Sequence, residues 1–118
     1  MLKERREIVE GIQGQLKDTE LAIEAAITAI GRLVVSLPVA RERANIAPIA
    51  GQAAFASIGA AMAGIVEVRG HMVDAHCHLD EARGQFRLPI VNTGAGYEKP
   101  ARVLTSGHLE AVPESAAA

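Results

Sequence analysis

Aromatic residues are almost missing from this chain, which has no Trp, one Tyr and two Phe, 3% in all. That scarcity argues against a broad β-sandwich core, which draws on aromatic and β-branched side chains. Ala, Ile, Val and Leu instead supply most of an apolar fraction of 49%, and small aliphatic side chains suit closely packed helices. Surfaces that bind nucleic acid carry stacking rings or a basic patch. With few rings and a formal net charge of −2, no nucleic-acid partner is expected. Cysteine is scarce too. Cys77 stands alone, so no intramolecular disulfide framework exists. The N-terminal MLKERREIVE is charged from its third residue and does not read as a secretory signal. A cytoplasmic or particle-bound protein is the resulting expectation.

Charge is also missing from one long stretch. Ala44 to Val66 contains no Asp, Glu, Lys or Arg, and Ala25 to Ala40 contains only Arg32. Residues 1–24 and 67–87 are charge-rich by contrast. At 118 residues the chain is one domain at most.

What is present is a seven-residue period. Leu2, Val9, Leu16, Ile23, Ile30 and Leu37 recur without a miss. Ile12, Ala26 and Leu33 follow three residues later, with Arg5 and Thr19 as lapses, and Ile27 and Val34 widen the stripe. This is the seam of a coiled-coil-like helix over about residues 2–37. Pro38 is expected to break it or to open the next helix. A second series runs through Ile58, Ile65, Met72, Leu79 and Phe86, with Ala61, Val68, Ala75 and Ala82 three residues on. It predicts a second helix over about 44–84, ended by Gly84 and Pro89. The turn then falls within Pro38–Pro48.

The fold class expected is therefore all-α: a long antiparallel two-helix hairpin over 1–87, coiled-coil-like, followed by an extended tail over 88–118. That tail has three prolines and three glycines after Arg87. Short strands at Leu88–Val91 and Arg102–Leu104 are expected within it.

Around the second helix, Ile46, Ile49, Phe55 and Met62 lie off the seam as defined by these series. A helix apolar on every side is buried on every side, and one partner helix covers one stripe. Ile46, Ile49, Phe55, Ile58, Met62 and Ile65 are accordingly expected to form an interface with further copies of the chain. The leading functional expectation is a non-enzymatic structural subunit within a larger assembly, with a virion or similar particle as the kind of setting that fits. Lipid is the rival cover. Twenty-three uncharged residues suffice to span a bilayer, and Gly59, Ala60, Ala63 and Gly64 supply small packing faces. A small pore-forming or lysis-type membrane hairpin is the alternative. Against it, Arg32 would cost about 2.5–3.5 kcal/mol near the bilayer centre.

Chemistry-bearing residues cluster in Val73-Asp74-Ala75-His76-Cys77-His78-Leu79-Asp80. This segment resembles the His-x-His metal motif of the metal-dependent deoxyribonucleases in the amidohydrolase superfamily, over about eight residues. The resemblance implies a (β/α)8 barrel of about 250 residues, in which the two histidines end the first strand and bind a catalytic metal. Only 38 residues follow Asp80, and the seven-residue period makes the segment helical, so the match is read as coincidence. Helical spacing gives another candidate. Glu67, His71, Asp74 and His78 share one face, and His71, Asp74 and His78 are a candidate ligand set for zinc, iron or manganese. A metal-binding helical bundle is thus the third functional reading, against the plainer one of a solvated polar face with Glu–His and Asp–His pairs. No organic cofactor is implied. Cys77 has no evident base or pocket. His108 has no evident partner, and Gly94-Ala95-Gly96 lacks the strand and helix that a phosphate-binding turn requires.

Overall fold

The computed structural model describes residues 1–90. Two helices make up almost all of it: α1 spans Leu2–Arg43 and α2 spans Gln52–Gln85. No strand occurs among the described residues. Ile90 closes the described part. The expected strand at Leu88–Val91 is not formed over Leu88–Ile90, and the one at Arg102–Leu104, with most of the tail, lies outside the described residues.

Cross-helix contacts fix the topology. Glu20 meets His76, Glu24 meets Arg69, and Gly31 lies beside Met62. The positions climb along α1 while they descend along α2, so the two helices form an antiparallel hairpin. At about 1.5 Å per residue, α1 is roughly 63 Å long and α2 roughly 51 Å.

Both helices differ from expectation near the turn. Pro38 neither ends α1 nor opens α2; the helix runs through it to Arg43. Proline lacks the N–H that would bond the Val34 carbonyl, an interior defect of about 3 kcal/mol. The turn structure beyond it is well bonded. Asn45 takes a left-handed backbone (φ 54°), its N–H donates to the Glu42 carbonyl, and the Ile46 N–H donates to the Arg41 carbonyl. That is a Schellman-type stop. The Arg41 guanidinium adds a bond of 2.7 Å to the Ile46 carbonyl. Residues 44–51 are therefore connection, and α2 begins eight residues later than the period suggested, at Gln52. Gly51 precedes it with φ 79°, a conformation glycine adopts without strain. At the far end Arg87 is left-handed (φ 50°), with Leu88 N–H to the Arg83 carbonyl and Arg87 N–H to the Gly84 carbonyl. The same stop is built twice.

The seven-residue row of α1 does face α2. Val9 and Ile23 are buried, and Leu16, Ile30 and Leu37 are half-buried. The second inward row is four residues on, where three was expected. Gln13, Glu20, Ile27, Val34 and Arg41 are half-buried, whereas of the expected row Ala26 is half-buried and Ile12 and Leu33 are exposed. On α2 the outcome is mixed. Ile58, Ile65 and Met72 are joined by Met62, His76 and Arg83, but Ala75 and Ala82 of the three-on row are half-buried too, and Leu79 and Phe86 of the expected seam are exposed. Met62, expected off the seam, lies on it. Its methyl is 3.9 Å from where a side chain on Gly31 would begin. Two causes favour this rotation. Near the turn the four-on row carries Ile27 and Met62 where the other row offers Ala26 and Ala61, and only at Val34 against Leu33 is the other row bulkier. Toward the open end it brings opposite charges together across the hairpin.

Candidate functional site

The polar side of the seam is the most structured constellation of functional groups. Glu20 and His76 project from facing rows, and His76 Nδ1 lies 3.0 Å from Glu20 Oε1. One turn nearer the hairpin tip, Arg69 Nη1 donates to Glu24 Oε1 at 3.1 Å. Both pairs are roughly one-third to one-half exposed. Exposed pairs of this kind contribute about 0–1 kcal/mol. They specify register more than stability.

The expected metal ligands do not converge. His71 Nε2 turns to Glu67 Oε1 at 3.6 Å, and His78 Nδ1 turns to Glu81 Oε2 at 3.5 Å. Asp74 is half-buried on the outer edge of α2. Among the described residues no group of three His, Cys, Asp or Glu side chains is placed to hold a metal ion. Seven residues of helix separate His71 from His78 by about 10.5 Å along the axis, while two nitrogens on one zinc, each about 2.0–2.1 Å from it, lie far closer together. The His-x-His likeness fares no better, since His76 faces Glu20 across the seam while His78 turns to Glu81 on its own helix. Cys77 is a half-buried free thiol, and each neighbouring imidazole holds a carboxylate through one nitrogen.

Between the open ends of the helices lies a cavity of about 160 Å³, walled by Val9, Leu16, Leu79 and Phe86 with Gln13 among them. The Gln13 Oε1 is buried and accepts no hydrogen bond. The wall is mostly apolar, and sequence patterning did not reveal it, because Gln13 sits outside the row that the period singled out.

The six residues expected at a copy-to-copy interface divide into two sets. Ile58, Met62 and Ile65 are half-buried against α1 of the same chain. Ile46, Ile49 and Phe55 remain open, with Ile49 81% and Phe55 37% exposed. They are not alone. Ile12, Leu33, Val35, Val39, Val66 and Val68 are exposed as well. Only Val9 and Ile23 qualify as buried hydrophobic residues among those described. Each helix is long and apolar enough to cross a membrane by length and composition, and its most apolar stretch is almost wholly unburied. No protein-family model, no curated protein and no solved structure matches this chain.

Proposed function

We propose that this protein is a non-enzymatic structural subunit that completes its core by self-assembly of helical hairpins. The supporting observation is the apolar surface left uncovered on a single chain, above all Ile46, Ile49 and Phe55 near the tip and Leu33, Val66 and Val68 along the shaft. Burying apolar surface is worth about 25 cal/mol per Å², and an isolated hairpin of this length forgoes most of that gain. Two helices side by side leave half of each cylinder open. A second layer supplies the missing cover.

A membrane hairpin is the second reading, favoured by the same unburied apolar stretches of α1 and α2. Two features weigh against it. Arg32 is exposed midway along the apolar part of α1, where lipid would surround it. Arg41, Glu42 and Arg43 close the helix at the tip and would have to cross the bilayer.

Detergent-free fractionation followed by light scattering separates the readings. Self-assembly predicts soluble protein with a mass that is a multiple of 12.4 kDa. A stable soluble monomer contradicts it, and recovery from the membrane fraction only with detergent supports the bilayer instead.

A further inference from the structure

The hairpin has two flat sides, and they differ in charge. The contacts Glu20–His76, Glu24–Arg69 and Gly31–Met62 all involve the four-on row or the position beside it, so they mark one side of the plane that holds both helix axes. On an antiparallel pair, equivalent rows of the two helices emerge on the same side. The three-on rows therefore emerge together on the opposite side. On α1 that side carries Ile8, Ile12, Gln15, Thr19, Ala22, Ala26, Ala29, Leu33, Ser36 and Ala40, bounded by Arg5 and Arg43. On α2 it carries Ala54, Ser57, Ala61, Gly64, Val68, His71, Ala75, His78, Ala82 and Gln85. Neither row contains an Asp, Glu, Lys or Arg. The other side holds Glu10, Lys17, Glu24 and Glu42 of α1 and Asp80 of α2, interspersed with the exposed Leu21, Val35, Val66 and Val73.

We infer that this charge-free side is the surface on which a second copy of the chain docks, face to face, to form a bundle of four helices. The inference rests on the self-assembly proposed above and names its interface. Three observations converge on a second copy. Ile12, Leu33 and Val68 lie on this side and are exposed in the single chain, although they belong to a seven-residue pattern that marks packed positions. The α1 and α2 rows are nearly equal in length, about 49 Å and about 48 Å, and lie level with one another. With axes about 8–10 Å apart, the side measures roughly 48 by 18 Å, on the order of 850 Å². A standard interface buries about 800 Å² per partner, so one face against its own copy meets that size. A two-fold pairing of this side also keeps Asp, Glu, Lys and Arg out of the centre of the interface, with Glu67 and Glu81, the partners of His71 and His78, at its rim, while Ala22, Ala29, Ala61 and Gly64 let the layers approach closely.

Charge placed on either side distinguishes the faces. Ala29 and Ala61 lie on the charge-free side, Thr28 and Ala63 on the other, and all four are exposed in the single chain. In detergent-free light scattering, Ala29→Glu and Ala61→Glu are expected to reduce the mass of the assembly to half or less, while Thr28→Glu and Ala63→Glu leave it unchanged. Thiol labelling of the assembled protein provides a readout that does not depend on how a charged variant folds. In a Cys77→Ser background, Ala29→Cys should react several-fold more slowly than Thr28→Cys. An unchanged mass for both Ala→Glu variants, or equal labelling rates, overturns this interface while a multimeric parent protein still upholds self-assembly. A monomeric parent removes both.

Discussion

Gln13 is the residue most at odds with its surroundings. It occupies an inward row between Val9 and Leu16, and its side-chain oxygen is buried without a hydrogen bond beside an apolar cavity. An unsatisfied buried amide costs about 1–3 kcal/mol, and replacing it by an apolar side chain of similar size removes that cost. Gln13→Leu is therefore expected to stabilise the protein by about 1 kcal/mol or more, seen as a higher urea midpoint at unchanged slope. A lower midpoint would mean that the amide has a structural role. Arg87 offers a second case. Its left-handed backbone strains a residue with a Cβ by about 1–2 kcal/mol. Arg87→Gly relieves that strain at the stop of α2, offset by the greater freedom of glycine in the unfolded chain. A net gain of up to about 1 kcal/mol is expected, and thermal unfolding checks it. Asn45 holds the equivalent position in the α1 stop, where a short polar side chain tolerates the conformation better.

At the scale of the elements, the long rows were legible because a seven-residue period persists over five repeats in α1 and across all of α2. The antiparallel pairing was legible from the short turn between two long rows, and it sets both charge-rich ends at the open end and both apolar halves at the tip. The second row was only partly legible, for a physical reason. Residues three and four positions from a seam flank it on opposite sides, and in α1 both flanks are apolar at Ala26, Ile27, Leu33 and Val34. Choosing between them depends on what the partner helix presents, and Glu20–His76 and Glu24–Arg69 are long-range pairs that no local pattern announces. The metal expectation met a related limit, since a shared helix face fixes direction but not convergence, and no three-ligand group forms among the described residues. Pro38 misled in the same way as a local signal. Its ring disfavours helix, yet Leu37 and Arg41 on either side of it keep facing α2, and the Schellman stop at Asn45 terminates α1 instead. Pro38→Ala restores a bond donor to the Val34 carbonyl. The helical gain of about 3 kcal/mol, less about 1 kcal/mol for a freer unfolded chain, predicts net stabilisation of about 2 kcal/mol. Chemical denaturation measures it, and an unchanged or lower stability would show that the proline is accommodated without cost.

For the whole molecule, the decisive relation is between the length of the hairpin and the thinness of its core. Val9 and Ile23 are the buried hydrophobic residues among those described, and much of the apolar mass faces outward. Chains of this size that bury little surface are marginal unless a staple, a metal or an additional subunit supports them. The lone Cys77 provides no internal disulfide, and the described residues assemble no metal-binding group. On the proposed self-assembly, association supplies the further burial and links stability to protein concentration by mass action. Thermal unfolding of the full chain in detergent-free buffer, followed by helical circular dichroism across a hundredfold range of concentration, is the most direct measurement. A midpoint that rises steadily with concentration is the result expected of a hairpin whose folding and assembly are coupled. A midpoint that stays fixed while the protein sediments as a single 12.4 kDa chain would contradict it.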